Sequence, residues 1–174
     1  MALKIRQFNE EVFFTNADLT RIGCEEINFL KEKVKSTPRQ RIRLCMHKNP
    51  DEIIHEMIIV LSKGTYVRPH KHMNKCESFH IIEGKGNVFL FSDEGEVKNV
   101  VQLGNYQSQG SFYCRIPQDT YHNLVTMSDY LVFIETTLGP FRNQDTIYPL
   151  WAPKEKDSVI VRDFVTGLLN RSNV

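Results

Sequence analysis

The chain has 174 residues, 41% of them apolar and 25% charged, and 22 basic residues nearly balance 21 acidic ones for a formal charge of +1. That size favours one domain with a sizeable core, and the charge balance excludes a general nucleic-acid binder, which needs a marked basic excess. The longest apolar runs, such as Met57 to Leu61, are far too short to span a bilayer, and Met-Ala-Leu-Lys-Ile-Arg at the N-terminus does not read as a secretory signal.

Residues 1–14 carry Phe8, Val12, Phe13 and Phe14, an aromatic arm expected to pack on another surface. Asn16 or Asp18 is the expected cap of a helix whose apolar stripe is Leu19, Ile22, Ile27, Leu30 and Val34, with Pro38 ending it. Lys31, Lys33 and Lys35 with Glu25, Glu26 and Glu32 fill its solvated faces. From Arg41 the pattern changes to strands, expected at 41–46, 53–61, 66–72, 77–83, 87–92, 97–103, 111–116, 121–126 and 130–137. Gly84-Lys-Gly86 is a hairpin turn and not a phosphate loop, since no helix follows it. Asp93-Glu-Gly95 marks another turn. Short strands broken this regularly indicate a β sandwich or barrel. Beyond Gly139-Pro140 the chain is irregular, then helical over 157–170 with Val159, Val161, Phe164, Val165 and Leu168. The four cysteines, Cys24, Cys45, Cys76 and Cys114, form no C-x-x-C pair and read as reduced thiols of a cytoplasmic protein.

The stretch Gly64-Thr-Tyr-Val-Arg-Pro-His70-Lys-His72 carries the most chemistry. Residues two apart on a strand face the same way, about 6.5–7 Å apart, so His70 and His72 can converge on one point. Glu77 follows a short polar turn, Met73 to Cys76, that can return a carboxylate to that point. Two imidazoles and a carboxylate so placed suit a divalent transition metal. Downstream, Pro117 and Asp119 mark a turn before His122, which can supply a third imidazole.

These residues resemble the cupins. Gly64, His70, His72, Glu77 and Gly84 match every fixed position of the first cupin motif. Pro117, Asp119 and His122 match the spacing of the second, with Asp119 where the motif has Gly, Gly110 one residue further upstream than expected, and Thr126 in place of an Asn. The resemblance implies a mainly β fold, the cupin double-stranded β-helix or jelly-roll barrel, with an N-terminal and a C-terminal helix. It implies His70, His72, Glu77 and His122 as ligands of one divalent metal, with Fe, Mn, Ni, Co and Zn all compatible. Pro38 to His47, Gly64 to His72, Glu77 to Gly84, Gly139-Pro-Phe141 and Trp151-Ala-Pro153 further resemble the WbuC family. Those are bacterial cupin-fold metalloproteins of O-antigen, or surface-polysaccharide, gene clusters. The organisation expected is an arm and helix over 1–40, a barrel over 41–140 and an extension over 141–174, all in one domain.

Strand parity puts Tyr66, Arg68, His70 and His72 on one face. Arg68 is then either an anion clamp beside the metal and a catalytic group, or an edge ion pair with Glu83 or Glu135. Phe79 and Ile81 share the face of Glu77 and give apolar walls. Arg41 and Arg43 either extend a basic mouth with Arg68 or form structural ion pairs. Glu135, in the apolar strand from Leu131 to Thr136, is a second-shell support or a general base. Tyr66, Arg68, Arg41, Arg43 and Phe79 are thus the candidate substrate contacts. His80 and His55 read as packed or surface residues, His47 is open, and Cys76 either borders the pocket or points away. Three functions fit: a metal-dependent isomerase or epimerase on a sugar-related substrate in polysaccharide biosynthesis, an Fe(II)-dependent dioxygenase, or a sugar-binding module without catalysis. A small-molecule ligand and a homodimer are the expected partners, with no nucleic acid and no membrane.

Overall fold

Alternation along the strand Arg41–Cys45 (β3) sets the plan of the molecule, described by a computed structural model over residues 4–171. Ile42 and Leu44 face one way and are buried, while Arg41, Arg43 and Cys45 face the other. The arm that precedes it forms β1 (Ile5–Gln7) and β2 (Val12–Thr15), and β2 runs parallel to β3. The arm therefore lies on the sheet of its own chain, with Phe13 and Phe14 buried there. Two long apolar strands, β4 (Ile54–Ser62) and β11 (Tyr130–Leu138), pair antiparallel from Ser62↔Tyr130 to Ile54↔Leu138. With β6 (Glu77–Glu83) and β9 (Tyr113–Ile116) they complete a seven-stranded sheet in the order β1-β2-β3-β4-β11-β6-β9.

A helix, α1 (Cys24–Val34), covers the outer face of that sheet. Its Leu30 and Val34 are fully buried against Phe13, Ile42, Leu44, Ile58, Val60 and Val132. Each such side chain contributes about 1.5–3 kcal/mol by leaving water. The helix starts later than the apolar stripe suggested. Thr15 bonds the Ala17 N–H and Thr20, keeping this part of the chain outside the helix, and Leu19 is exposed. The helix opens at Gly23, whose N–H donates to the Glu26 carboxylate at 2.7 Å.

Facing the inner side is a second sheet of β10 (Tyr121–Thr126), β7 (Lys85–Phe91) and β8 (Val97–Gly104), in that order. Val88, Leu124 and Leu103 point between the sheets, whereas Phe89, Phe91 and Val125 point outward under α2 (Ser158–Arg171), which packs Phe164, Val165 and Leu168 onto them. The fold is thus the expected mainly β cupin arrangement with a helix near each end, its two faces carried by separate hydrogen-bond ladders and not one closed barrel. Gly84, at φ +86°, joins β6 to β7 where a Cβ would stand 2.0 Å from the Tyr130 carbonyl oxygen, so this turn admits only glycine without displacement.

The expected strand over 66–72 shrinks to β5 (Lys71–His72) plus an isolated bridge between His70 and His122. Its partner is β12 (Thr146–Ile147), part of the segment expected to be irregular. Residues 66–69 have no ladder on either side, because the C-terminal segment lies there instead. Among the described residues no helix is long and apolar enough to cross a membrane.

Candidate metal centre

The inner face of the large sheet is a grid fixed by register. Glu77, Thr137 and His55 form one row. Phe79, Glu135, Met57 and Cys45 form the next, and Ile81, Phe133, Ile59 and Arg43 the one after. Glu77, the first residue of β6, is buried at one end of this grid. Across the gap the backbones of His70 and His122 exchange hydrogen bonds at 3.0 and 2.9 Å. Asp119 takes φ +59° at the turn before β10, a left-handed position that Asp tolerates where the cupin motif has Gly. Its N–H donates to the His72 carbonyl at 2.9 Å.

These constraints bring one donor atom each from His70, His72, Glu77 and His122 within 4.8 Å of one another. His72 Nε2 lies 2.8 Å from Glu77 Oε1, and His122 Nε2 lies 3.1 Å from Glu77 Oε2. Two ligands at right angles, each about 2.1 Å from one ion, are about 3.0 Å apart, so the donor set has the spacing of neighbouring ligands. The far ring nitrogens are tied down. His70 Nδ1 bonds the Arg68 carbonyl at 2.8 Å, His122 Nδ1 the Thr120 carbonyl at 2.9 Å, and His72 Nδ1 the Thr146 hydroxyl at 3.3 Å. These contacts fix the rings so that each Nε2 points toward the shared centre, the orientation a ligating histidine needs.

Electrostatics favour the same states. Burial, then repulsion from His122, pushes the His70 imidazole down to about 3, so it is neutral near pH 7. Burial alone would raise the Glu77 carboxyl, but hydrogen bonds from His122 and His72 outweigh it and hold the carboxyl well below the usual range. A neutral His70 imidazole and an ionised Glu77 carboxylate are ligand states that a divalent ion requires. The residues present therefore fit a divalent transition metal.

The remaining candidates divide. A cavity of about 770 Å³ runs from the four donors along the grid, lined by Phe79, Glu135, Arg41, Arg43 and Arg68. Glu135 is half-buried in it, and desolvation, then the charge of Glu77, pushes its carboxyl up to about 8 against the opposing pull of Arg43. Arg68 pairs with neither Glu83 nor Glu135. Glu83 is held by Lys31 at 2.6 Å, and the Arg68 guanidinium lies over the Tyr148 ring at 4.8 Å and donates to the Pro149 and Ala152 carbonyls. Tyr66 leaves the pocket altogether. Its hydroxyl donates to the Pro153 carbonyl at 2.9 Å and its ring meets Phe164 edge-on. The reason is common to both residues: with no strand pairing over 66–69, parity does not aim side chains, and the C-terminal segment captures them. Arg41 forms ion pairs with Glu11 and Glu155, each at 3.4 Å. Ile81 sits in the core beyond the cavity. His80 is exposed, and Cys76 turns away to meet Arg115.

Sequence reasoning missed two features. His47 and His55 line the cavity as a stacked pair, ring centres 4.0 Å apart, and the parity of β4 already put His55 on the inner face with Met57. Thr146 and Tyr148, from the extension, lie against His72 and His70, and no local pattern announced them.

Fold and donor set define a cupin-fold protein with a metal-type His/Glu cluster. A family described as a domain of unknown function (DUF6016) matches residues 22–103. No curated protein matches the chain. Among solved structures it is similar to CapF, a capsular polysaccharide assembling protein from Staphylococcus aureus, with a TM-score of 0.52 at 20% identity over 65% of this chain and 32% of that one. CapF with the inhibitor 3-isopropenyl-tropolone gives 0.52 at 19% identity, over 66% and 33%. Protein SO0799 from Shewanella oneidensis gives 0.55 at 14% identity, over 74% and 85%. The chain thus spans about a third of the length of CapF.

Proposed function

We propose that this chain binds one divalent transition metal through His70, His72, Glu77 and His122 and uses it on a sugar-related small molecule, as an isomerase or epimerase of surface-polysaccharide biosynthesis. The observation that carries the reading is the convergence of those four donors beside a half-buried carboxylate, Glu135, in the same cavity. When bound, the ion supplies Lewis-acid polarisation of substrate oxygens. Glu135 is the proton carrier: with its carboxyl raised to about 8 it can both accept a proton from carbon and return it near neutral pH. Phe79, next to Glu135 in register, gives an apolar wall that keeps water from the transferred proton. Arg68 holds the extension over the site and is a positioning residue in this scheme.

The polysaccharide context and the likeness to the WbuC family rest on the motifs quoted above. The polysaccharide context is supported by CapF, a capsular polysaccharide assembling protein of similar fold. The same reading takes the protein to be a cytoplasmic homodimer, which light scattering on the purified protein tests.

Elemental analysis of protein purified without added metal or chelator tests the ligand assignment. About one transition-metal ion per chain is expected. His72→Ala and His122→Ala lose most of it while keeping the β circular-dichroism signal, and unchanged stoichiometry in either overturns the assignment. Exchange of carbon-bound hydrogen of aldose and ketose probes into D2O tests the chemistry, with loss of exchange expected in Glu135→Gln.

A further inference from the structure

Away from the four donors, the cavity ends among charged groups on β3 and the extension. Three guanidinium groups, Arg39, Arg41 and Arg43, gather there against two carboxylates, Glu11 and Glu155. Glu11 receives both Arg39 and Arg41, the first through Nε at 2.7 Å. Glu155 completes the pairing of the same two arginines, at 3.6 and 3.4 Å. Arg43 is left over. Among the described residues no carboxylate lies within ion-pairing distance of it, and its one side-chain contact is Nη1 to the Met57 sulfur at 3.9 Å. It faces the cavity from the middle of the inner grid, in the row next to that of Glu135.

A half-buried guanidinium with no carboxylate in ion-pairing distance is unfavourable by itself, and its planar fork suits a carboxylate or phosphate. Position decides which part of a ligand it meets. From Glu77 to Arg43 the register counts three strands across and four residues along. On a flat sheet that is about 14 Å in each direction, shortened by curvature and by the arginine side chain. One compact sugar ring at the donors does not reach that far, whereas a cavity of about 770 Å³ holds a longer ligand.

We infer that the ligand is an acidic carbohydrate, with its vicinal oxygens toward the four donors and a carboxylate or phosphate at the far end held by Arg43. This inference rests on the metal-centre reading and adds the substrate class to it. Arg41 and Arg39, neutralised by Glu11 and Glu155, hold the arginine row in place. Arg68 also lacks a paired carboxylate, but it lies at the donor end of the cavity, two residues from His70, with its guanidinium on the Pro149 and Ala152 carbonyls and over the Tyr148 ring.

Calorimetric titration of the metal-loaded protein with disaccharides long enough to span the cavity, lactose, lactobionate and lactose 6-phosphate, tests the inference. At least one acid binds about tenfold or more tightly than lactose, the size of one charge-assisted contact, and the two acids distinguish carboxylate from phosphate. Arg43→Gln removes that preference and leaves the metal content unchanged, while Arg43→Lys keeps part of it and controls for packing. If neither acid exceeds lactose, or if the preference survives Arg43→Gln, the inference is overturned. Metal content measured on the same samples separates this result from failure of the metal-centre reading, which would show as absent metal in the unsubstituted protein.

Discussion

Glu135→Gln makes the metal-free protein more stable at neutral pH, although it alters the group proposed to do the chemistry. The half-buried Glu135 carboxyl is desolvated and feels the charge of Glu77, and its pKa rises from an ordinary 4.5 to about 8. A group whose folded pKa exceeds its unfolded value binds a proton more tightly in the folded state. Stability is then complete below the unfolded value and falls as pH rises toward the folded one. Between pH 4.5 and 7 the loss approaches 3 kcal/mol, at about 1.4 kcal/mol per unit, and relaxation around the carboxyl brings it to about 1–3 kcal/mol. Glutamine keeps the shape of the protonated acid and has no proton to lose. The variant should equal the unsubstituted protein near pH 4.5 and exceed it by about 1–3 kcal/mol at pH 7. Urea unfolding of chelator-treated samples at several pH values measures this. A difference that stays flat with pH, or a variant weaker than the unsubstituted protein at about pH 8, refutes the assigned environment of Glu135.

Thr146→Val should weaken metal affinity about 10- to 100-fold by freeing the His72 ring, with Thr146→Ser restoring it, as measured by competition with a fluorescent chelator. Gly84→Ala places a methyl against the Tyr130 carbonyl at a left-handed φ and should cost about 3–4 kcal/mol in urea unfolding; a loss under about 1 kcal/mol would show that the turn relaxes freely. Tyr66→Phe removes the bond to Pro153 and should lower stability by about 1–2 kcal/mol without changing metal stoichiometry. A change in metal content would return Tyr66 to the site.

The strands and the metal donors were legible because each depends on short-range pattern. Two-residue alternation located β6 and β10 to the residue, since a strand buried on its inner face tolerates no slip. The His70, His72 and Glu77 spacing carried its own geometry, and the Asp119 turn announced His122. Parity failed over 66–69 for the same physical reason that it worked elsewhere: it holds only where a ladder pairs the strand. There the extension takes the place of a partner strand and turns Tyr66 and Arg68 toward its own carbonyls. The helix start was misread because Leu19 fits an apolar stripe by spacing but lies in solvent.

By itself the sequence determined a β fold of short strands, a helix near each end, and four metal-type donors, because periodicity and ligand spacing are local properties of a chain. Only the tertiary structure decided which charges are neutralised. Glu11, Arg39, Arg41 and Glu155 come from three distant segments, and their meeting leaves Arg43, on the same strand, without a paired carboxylate. Partnership across such separations is set by packing, and that is where the pocket acquires its chemical preference.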